Sequence, residues 1–164
     1  MSEMTVRNVR AEDLPQITAL EELCFSVPWT EEMLRAQLTN GHVFLVAVED
    51  GQVLGYVGLQ YVLDEGYITN VATSPARRRE GIAGMLLSAL KKRAAALGLA
   101  FLTLEVREGN FPARRLYEKY GFFDVGRRKG YYECPREDAI LMTYFFSEGD
   151  PHKHGTPFPV PANQ

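Results

Sequence analysis

Apolar and polar positions alternate through "MTVRNV" (Met4 to Val9), which predicts a strand. In "AEDLPQITALEELCF" the period changes. Leu14, Ile17, Leu20 (with Glu21) and Cys24 recur at helical spacing, and Pro15 suits a first turn. "SVPW" interrupts this helix. "TEEMLRAQLTNG" predicts a second one, with Thr30 as its N-cap, acids in its first turn and Gly41 past its end. "HVFLVAVED", "GQVLGYVGLQYVL" and "EGYITNVATS" read as three strands, the first two joined by a hairpin turn at "EDGQ". A long amphipathic run from about Gly81 to Leu97, closed by Gly98, predicts the third helix. "AFLTLEVR" is a fifth strand. "NFPARRLYEKYG" is a short helix with Asn110 as N-cap and Gly121 just beyond its end. "FFDVGRRKGYY" and "REDAILMTYFF" complete the strands.

The order is therefore βααβββαβαββ, a mixed α/β (α+β) domain, neither a regular βαβ alternation nor an all-β pattern. From Ser147 onward the composition changes: "SEGDPHKHGTPFPVPANQ" holds four prolines and no period. One domain is expected over 1–147, followed by a proline-rich extended tail over 148–164. The 164 residues are 46% hydrophobic and 24% charged, as in a globular protein with a core. A net charge of −3 argues against a nucleic-acid partner, although arginines cluster at 77–79, 114–115 and 127–128. Cys24 and Cys134 lie far apart, and with His42, His152 and His154 they make no metal-site signature, so no metal is expected. The amino terminus lacks a signal peptide and no apolar run approaches a membrane span, so a cytoplasmic location and no membrane partner are expected. The sequence leaves the oligomeric state open, a monomer being the simpler expectation.

Three stretches carry candidate chemistry. "RRREGIAG" places Arg78-x-x-Gly81-x-Ala83 between a strand and a long helix. It is neither a dinucleotide nor a P-loop fingerprint. Its setting aims backbone N–H groups and a positive helix end at an anion such as a phosphate; the alternative is a solvated charge run. In "FLTLEVREGN" the residues Phe101, Thr103 and Glu105 share one strand face. A carboxylate in an apolar strand must be paired or reached by a ligand, so Glu105 is either a functional acid or a partner of Arg107 or Arg114. In "NFPARRLYEKYGF" Ala113, Leu116, Tyr117 and Tyr120 form the core face of the helix. Tyr117 is a core aromatic that can still turn its hydroxyl to a cleft.

Together "VATSPARRREGIAGMLL", "LTLEVREGNFPARRLYEKYGF" and "RRKGYYECPREDAILM" resemble the GCN5-related N-acetyltransferase (GNAT) superfamily, and within it the ribosomal-protein-alanine N-acetyltransferase (RimI) type. The resemblance covers about Met4 to Phe146. It implies a mostly antiparallel, mixed seven-stranded sheet flanked by four helices, and acetyl-CoA as co-substrate. By matching, the pyrophosphate would lie on the backbone of Arg79, Glu80, Gly81, Ile82, Ala83 and Gly84. Val71, Ala72 and Thr73 would hold the pantetheine arm on a strand that splays from its neighbour, with Asn110 and Tyr117 beside the cofactor. Glu105 would be the general base, acting directly or through water, and Tyr117 the acid that protonates the thiolate. The loops "FSVPWTEE" and "KGYYECPRED" resemble the acceptor slot, with Trp29, Tyr131 and Tyr132 as its walls; simple packing is the alternative for these aromatics. Asp64 and Glu65 either hold a protonated amine or form a solvated turn. Ala83 stands where many members carry glycine. The implied activity is transfer of acetyl to the free N-terminal amine of a protein with a small first residue such as alanine, a ribosomal protein being the expected partner. Acetylation of lysine or of a small-molecule amine, or a non-catalytic acyl-CoA-binding domain, are the alternatives.

Overall fold

The computed structural model describes residues 3–40, 42–78 and 80–146. Gly41, Arg79 and the tail over 148–164, each given an expectation above, lie outside the described residues. The strands are β1 (Thr5–Asn8), β2 (Val43–Glu49), β3 (Gln52–Val62), β4 (Glu65–Thr73), β5 (Phe101–Arg107), β6 (Phe123–Tyr132) and β7 (Glu137–Phe145). The helices are α1 (Leu14–Cys24), α2 (Glu31–Thr39), α3 (Ile82–Ala96) and α4 (Phe111–Lys119). Single 3₁₀ turns at Ala11–Asp13 and Pro75–Arg77 precede α1 and α3. The sheet order is β1-β2-β3-β4-β5-β7-β6, with β4 and β5 parallel. The order of helices and strands is the one the periodicity predicts. The described residues form two compact units, one within 3–60 and 69–93, the other within 61–68 and 94–146.

In the first unit the apolar stripe of α1 supplies Leu14, Ile17 and Leu20 to a core with Trp29, Leu34, Phe44, Val46, Tyr56 and Ala72. Thr30 caps α2 by accepting the Met33 N–H on its hydroxyl. The hairpin from β2 to β3 closes through Asp50 and Gly51, both at positive φ, the geometry of the tight turn that matches strand twist. Within this core, Glu21 is fully buried. Its carboxylate accepts from the Trp29 N–H (2.8 Å), the Asn70 side-chain amide (3.1 Å) and the Tyr56 hydroxyl. These bonds offset part of the desolvation of a carboxylate and tie the loop after α1 to β4.

In the second unit β5 is the central strand. Its register with β4 runs from Glu65↔Phe101 to Tyr67↔Thr103, and with β7 from Phe101↔Phe145 to Arg107↔Ala139. Thr103 is buried and satisfied: its hydroxyl accepts from Thr143 at 3.0 Å and donates to the Met142 carbonyl at 3.2 Å. Helix α4 starts at Asn110, whose side-chain oxygen accepts the Ala113 N–H at 3.3 Å. It ends on Gly121 at φ +93°, with the Phe122 N–H returning to the Tyr117 carbonyl. Asn110→Ala should therefore cost about 0.5–2 kcal/mol in denaturant unfolding, and Asn110→Asp should retain most of it.

Among the described residues no helix is long and apolar enough to cross a membrane, and no group of three or more His, Cys, Asp or Glu could hold a metal ion.

Candidate active site

The first unit carries the turn. After Pro75–Arg77, the chain passes to Gly81 at φ +79° and enters α3 at Ile82. This left-handed conformation strains any L side chain, and a Cβ built on Gly81 would meet nothing within 4 Å. Glycine is thus required by the backbone angle, and the space beside it is open. The first bond at the start of α3 runs from the Met85 N–H to the Gly81 carbonyl (3.0 Å), so the N–H groups of Ile82, Ala83 and Gly84 lie ahead of the helical ladder.

Side chains around the turn are committed elsewhere. Arg77 bridges Glu80 (2.8 Å) and Glu49 (3.1 Å). The Arg77 guanidinium holds the Glu80 carboxyl below its usual range and offsets a negative charge beside the turn. What Glu80 can offer an anion is its backbone. Cys24 donates to the Thr73 carbonyl (3.4 Å) and interacts with Arg78; burial pushes its thiol up, away from nucleophilic thiolate.

The second unit carries the carboxylate. Glu105 sits on β5 two residues beyond Thr103, which pairs with Tyr67 of β4, so Tyr67 and Glu105 share a sheet face. The Tyr67 hydroxyl donates to Glu105 Oε2 at 2.6 Å and the Tyr131 hydroxyl to the same oxygen at 3.2 Å. Arg128 Nε donates to Oε1 at 3.0 Å. The Glu105 side chain is 3% exposed although the residue as a whole is only half-buried, so water reaches its backbone more than its carboxylate. Burial raises the Glu105 carboxyl above its usual range; the Tyr67 hydrogen bond, the Arg128 charge and the Tyr131 hydrogen bond oppose this without cancelling it. Burial and the Glu105 charge keep Tyr67 protonated. The result is a desolvated carboxylate of raised basicity, the property a general base for an amine requires.

Residues 14–122 match the acetyltransferase (GNAT) family model. The chain is 34% identical over 143 residues to the Haemophilus influenzae [ribosomal protein bS18]-alanine N-acetyltransferase, covering 85% of this chain and 97% of that one. It is 32% identical over 140 residues to the Escherichia coli enzyme of the same name, covering 84% and 95%. The crystal structure of the ribosomal-protein-S18-alanine N-acetyltransferase from E. coli superposes with a TM-score of 0.83 at 30% identity, covering 92% of this chain and 98% of that one.

The chain belongs to the acetyltransferase (GNAT) family. It is an acetyl-CoA-dependent N-acetyltransferase, with acetyl-CoA as its co-substrate. The turn fits that role: its open hemisphere at Gly81 and its ladder-free N–H groups suit a pyrophosphate.

The other candidate residues of this acetyltransferase fall as follows. In the first unit, Val71 and Thr73 are partly exposed and Ala72 is buried. Trp29 is 7% exposed within the core, held through the Glu21 bond to its backbone. Trp29 shares that core with Leu14, Ile17 and Leu20 of α1 and Leu34 of α2, which leaves little of its side chain to wall an acceptor slot.

In the second unit, Tyr117 is buried against Phe122 (5.8 Å between ring centroids), and burial raises its phenol. Tyr131 and Tyr132 meet edge to face at 5.0 Å, and the Arg107 guanidinium lies 4.4 Å from the centroid of the Tyr132 ring. Tyr132 is therefore mostly buried, and the more open Tyr131 spends its hydroxyl on Glu105. Asp64 is exposed and its carbonyl accepts the Ala100 N–H; Glu65 opens β4. The partners expected for Glu105 are corrected: Arg107 pairs with Glu137 (3.2 Å) and Arg114 with Asp124 (3.1 Å), leaving Arg128 as the counter-charge.

Sequence reasoning missed Tyr67 and Arg128. The one available signal was that Tyr67 lies in the strand "EGYITN", in phase with the polar face of its neighbour.

Proposed function

We propose that this enzyme acetylates the free N-terminal α-amine of a protein with a small first residue such as alanine, a ribosomal protein being the acceptor. The observation that carries this reading is its identity, over nearly the whole of both chains, with enzymes named for alanine acetylation of ribosomal protein bS18. The chemistry of the second unit supports it. An α-ammonium has an unperturbed pKa of about 7.7–8.0, within reach of one carboxylate of raised basicity.

Acetyl-CoA would supply an activated acyl carbon; in the first unit Arg79 to Gly84 would hold its pyrophosphate and Val71–Thr73 its pantetheine, and in the second Asn110 and Tyr117 are the residues proposed to meet it. Glu105 takes a proton from the ammonium, and the freed nitrogen forms the C–N bond as the C–S bond breaks. The Tyr117 hydroxyl, which burial keeps protonated, donates toward the departing sulfur. Of the two protons the ammonium nitrogen loses, one ends on the sulfur through Tyr117 and one leaves to solvent by way of Glu105. Trp29 in the first unit and Tyr131 and Tyr132 in the second are the aromatic residues proposed to contact the acceptor.

The test is mass spectrometry of a peptide beginning with alanine after incubation with acetyl-CoA and enzyme. Acetyl on the α-nitrogen is expected; a peptide left unmodified at its N-terminus overturns the reading. The turn has its own test. Gly81→Val should weaken acetyl-CoA binding by calorimetry and, through backbone strain at positive φ, cost about 1–2 kcal/mol of stability. Unchanged affinity in the folded variant would remove the turn from the donor site.

A further inference from the structure

The Glu105 side chain is 3% exposed and its carboxylate accepts from Tyr67, Tyr131 and Arg128, so an acceptor amine meets one of these three groups on its way to the carboxylate. The three differ. Tyr67 is buried in β4 at 4% exposure and donates the shortest of the three bonds. Tyr131 of β6 packs edge to face on Tyr132. Arg128, also of β6, is the one cation of the three. It holds Oε1 alone, and its side chain is 29% exposed. Strand β6 lies at the end of the sheet order, beyond β7. Tyr132 of β6 also feels the Glu105 charge, while Arg107, two residues along β5, pairs with Glu137 and lies over the Tyr132 ring.

Resting on the function proposed above, we infer that Arg128 is a place-holder cation: its guanidinium occupies on Glu105 Oε1 the position of the acceptor's ammonium and gives way to it. The exchange replaces one positive charge with another, so the desolvated carboxylate is never left without a counter-ion, the state that costs most in a buried site. A displaced Arg128 has solvent to enter and the Tyr131 ring, 5.7 Å from its guanidinium carbon, to rest on. Arg128 is thus a positioning residue that favours acceptors arriving as cations.

Arg128→Gln tests this. Removing a competitor should lower the acceptor-peptide KM about two- to fivefold, the scale of a part-exposed ion pair, with the acetyl-CoA KM unchanged. Removing the cation should also move the acid limb of kcat/KM upward by about 1 pH unit, and Arg128→Lys should restore it. An Arg128 that only neutralises Glu105 would move the limb in the same direction but would not lower the acceptor KM, so the KM carries the distinction. An unchanged or raised acceptor KM, or an unmoved acid limb, overturns the inference. The two readings fail separately. If the wild-type enzyme leaves free N-termini unmodified, the proposed function falls, and the Glu105 carboxyl carbon, followed by ¹³C NMR in wild type and Arg128→Gln, still decides. A higher titration midpoint in the variant supports the ion-pair role of Arg128, and an unchanged midpoint overturns it.

Discussion

Replacing Glu105 with glutamine is expected to lower kcat by about 10²–10⁴-fold, the range of a positioned general base, while acetyl-CoA affinity stays near its wild-type value. Glutamine keeps the shape of the side chain and an oxygen for the Tyr67 and Tyr131 hydroxyls; what is lost is the proton acceptor, together with the pairing to Arg128, whose part-exposed side chain can turn to solvent. Unfolding does not explain such a loss. Because burial raises the Glu105 carboxyl, the folded state binds a proton at this site more tightly than the unfolded chain. Keeping Glu105 ionised then costs stability as pH rises from the unfolded value through the folded one. Glutamine carries no charge to bury, so the Tm of the variant at neutral pH should not fall below wild type. Activity in the wild type needs the carboxylate and should decline as pH falls through its raised pKa, above the ordinary carboxylate range. High pH should partly rescue the variant, since the amine then deprotonates unaided. Full kcat at neutral pH in Glu105→Gln would reduce Glu105 to a structural residue.

Much of the fold is legible because its signals are local. The Thr30 and Asn110 caps, the Asp50–Gly51 turn and the positive-φ glycines at 98 and 121 each act within a few residues of where they stand. The surroundings of Glu105 are of a different kind. Tyr67, Arg128 and Tyr131 lie 38, 23 and 26 residues away in sequence and reach it only through sheet register. Arg107 is on the same strand face and looks like the natural counter-charge from spacing. Yet Arg107 and Arg128 both pair in register with Ala139, and the Glu133 and Pro135 carbonyls with Glu137 draw Arg107 away. The setting of Trp29 is hidden from the sequence for a related reason. An aromatic after "SVP" reads as a loop side chain, and nothing local reveals that Glu21, eight residues earlier, holds its backbone while the core takes its ring.

The second large effect concerns the choice of amine. Peptides with a free N-terminal alanine should turn over at least about 10²–10³-fold faster, by kcat/KM near neutral pH, than the same peptides formylated at the N-terminus and carrying lysine. The argument is one of proton affinity. A lysine amine at about 10.4 holds its proton some two and a half pH units beyond an α-amine at about 7.7–8.0, and a single carboxylate must supply that difference. Glu105 has no second base beside it: its neighbours are two tyrosines that burial keeps protonated or that donate to it, and one arginine. Such a site can accept a proton from the weaker base and is poorly matched to the stronger one. Small first residues should be favoured over bulky ones, because the Glu105 side chain is almost fully enclosed and an acceptor must bring its nitrogen within hydrogen-bond reach of it. Mass spectrometry of peptide pairs differing only in the blocked terminus measures the ratio directly. Comparable turnover of the blocked, lysine-bearing peptides would defeat the α-amine assignment and move the activity to lysine side chains.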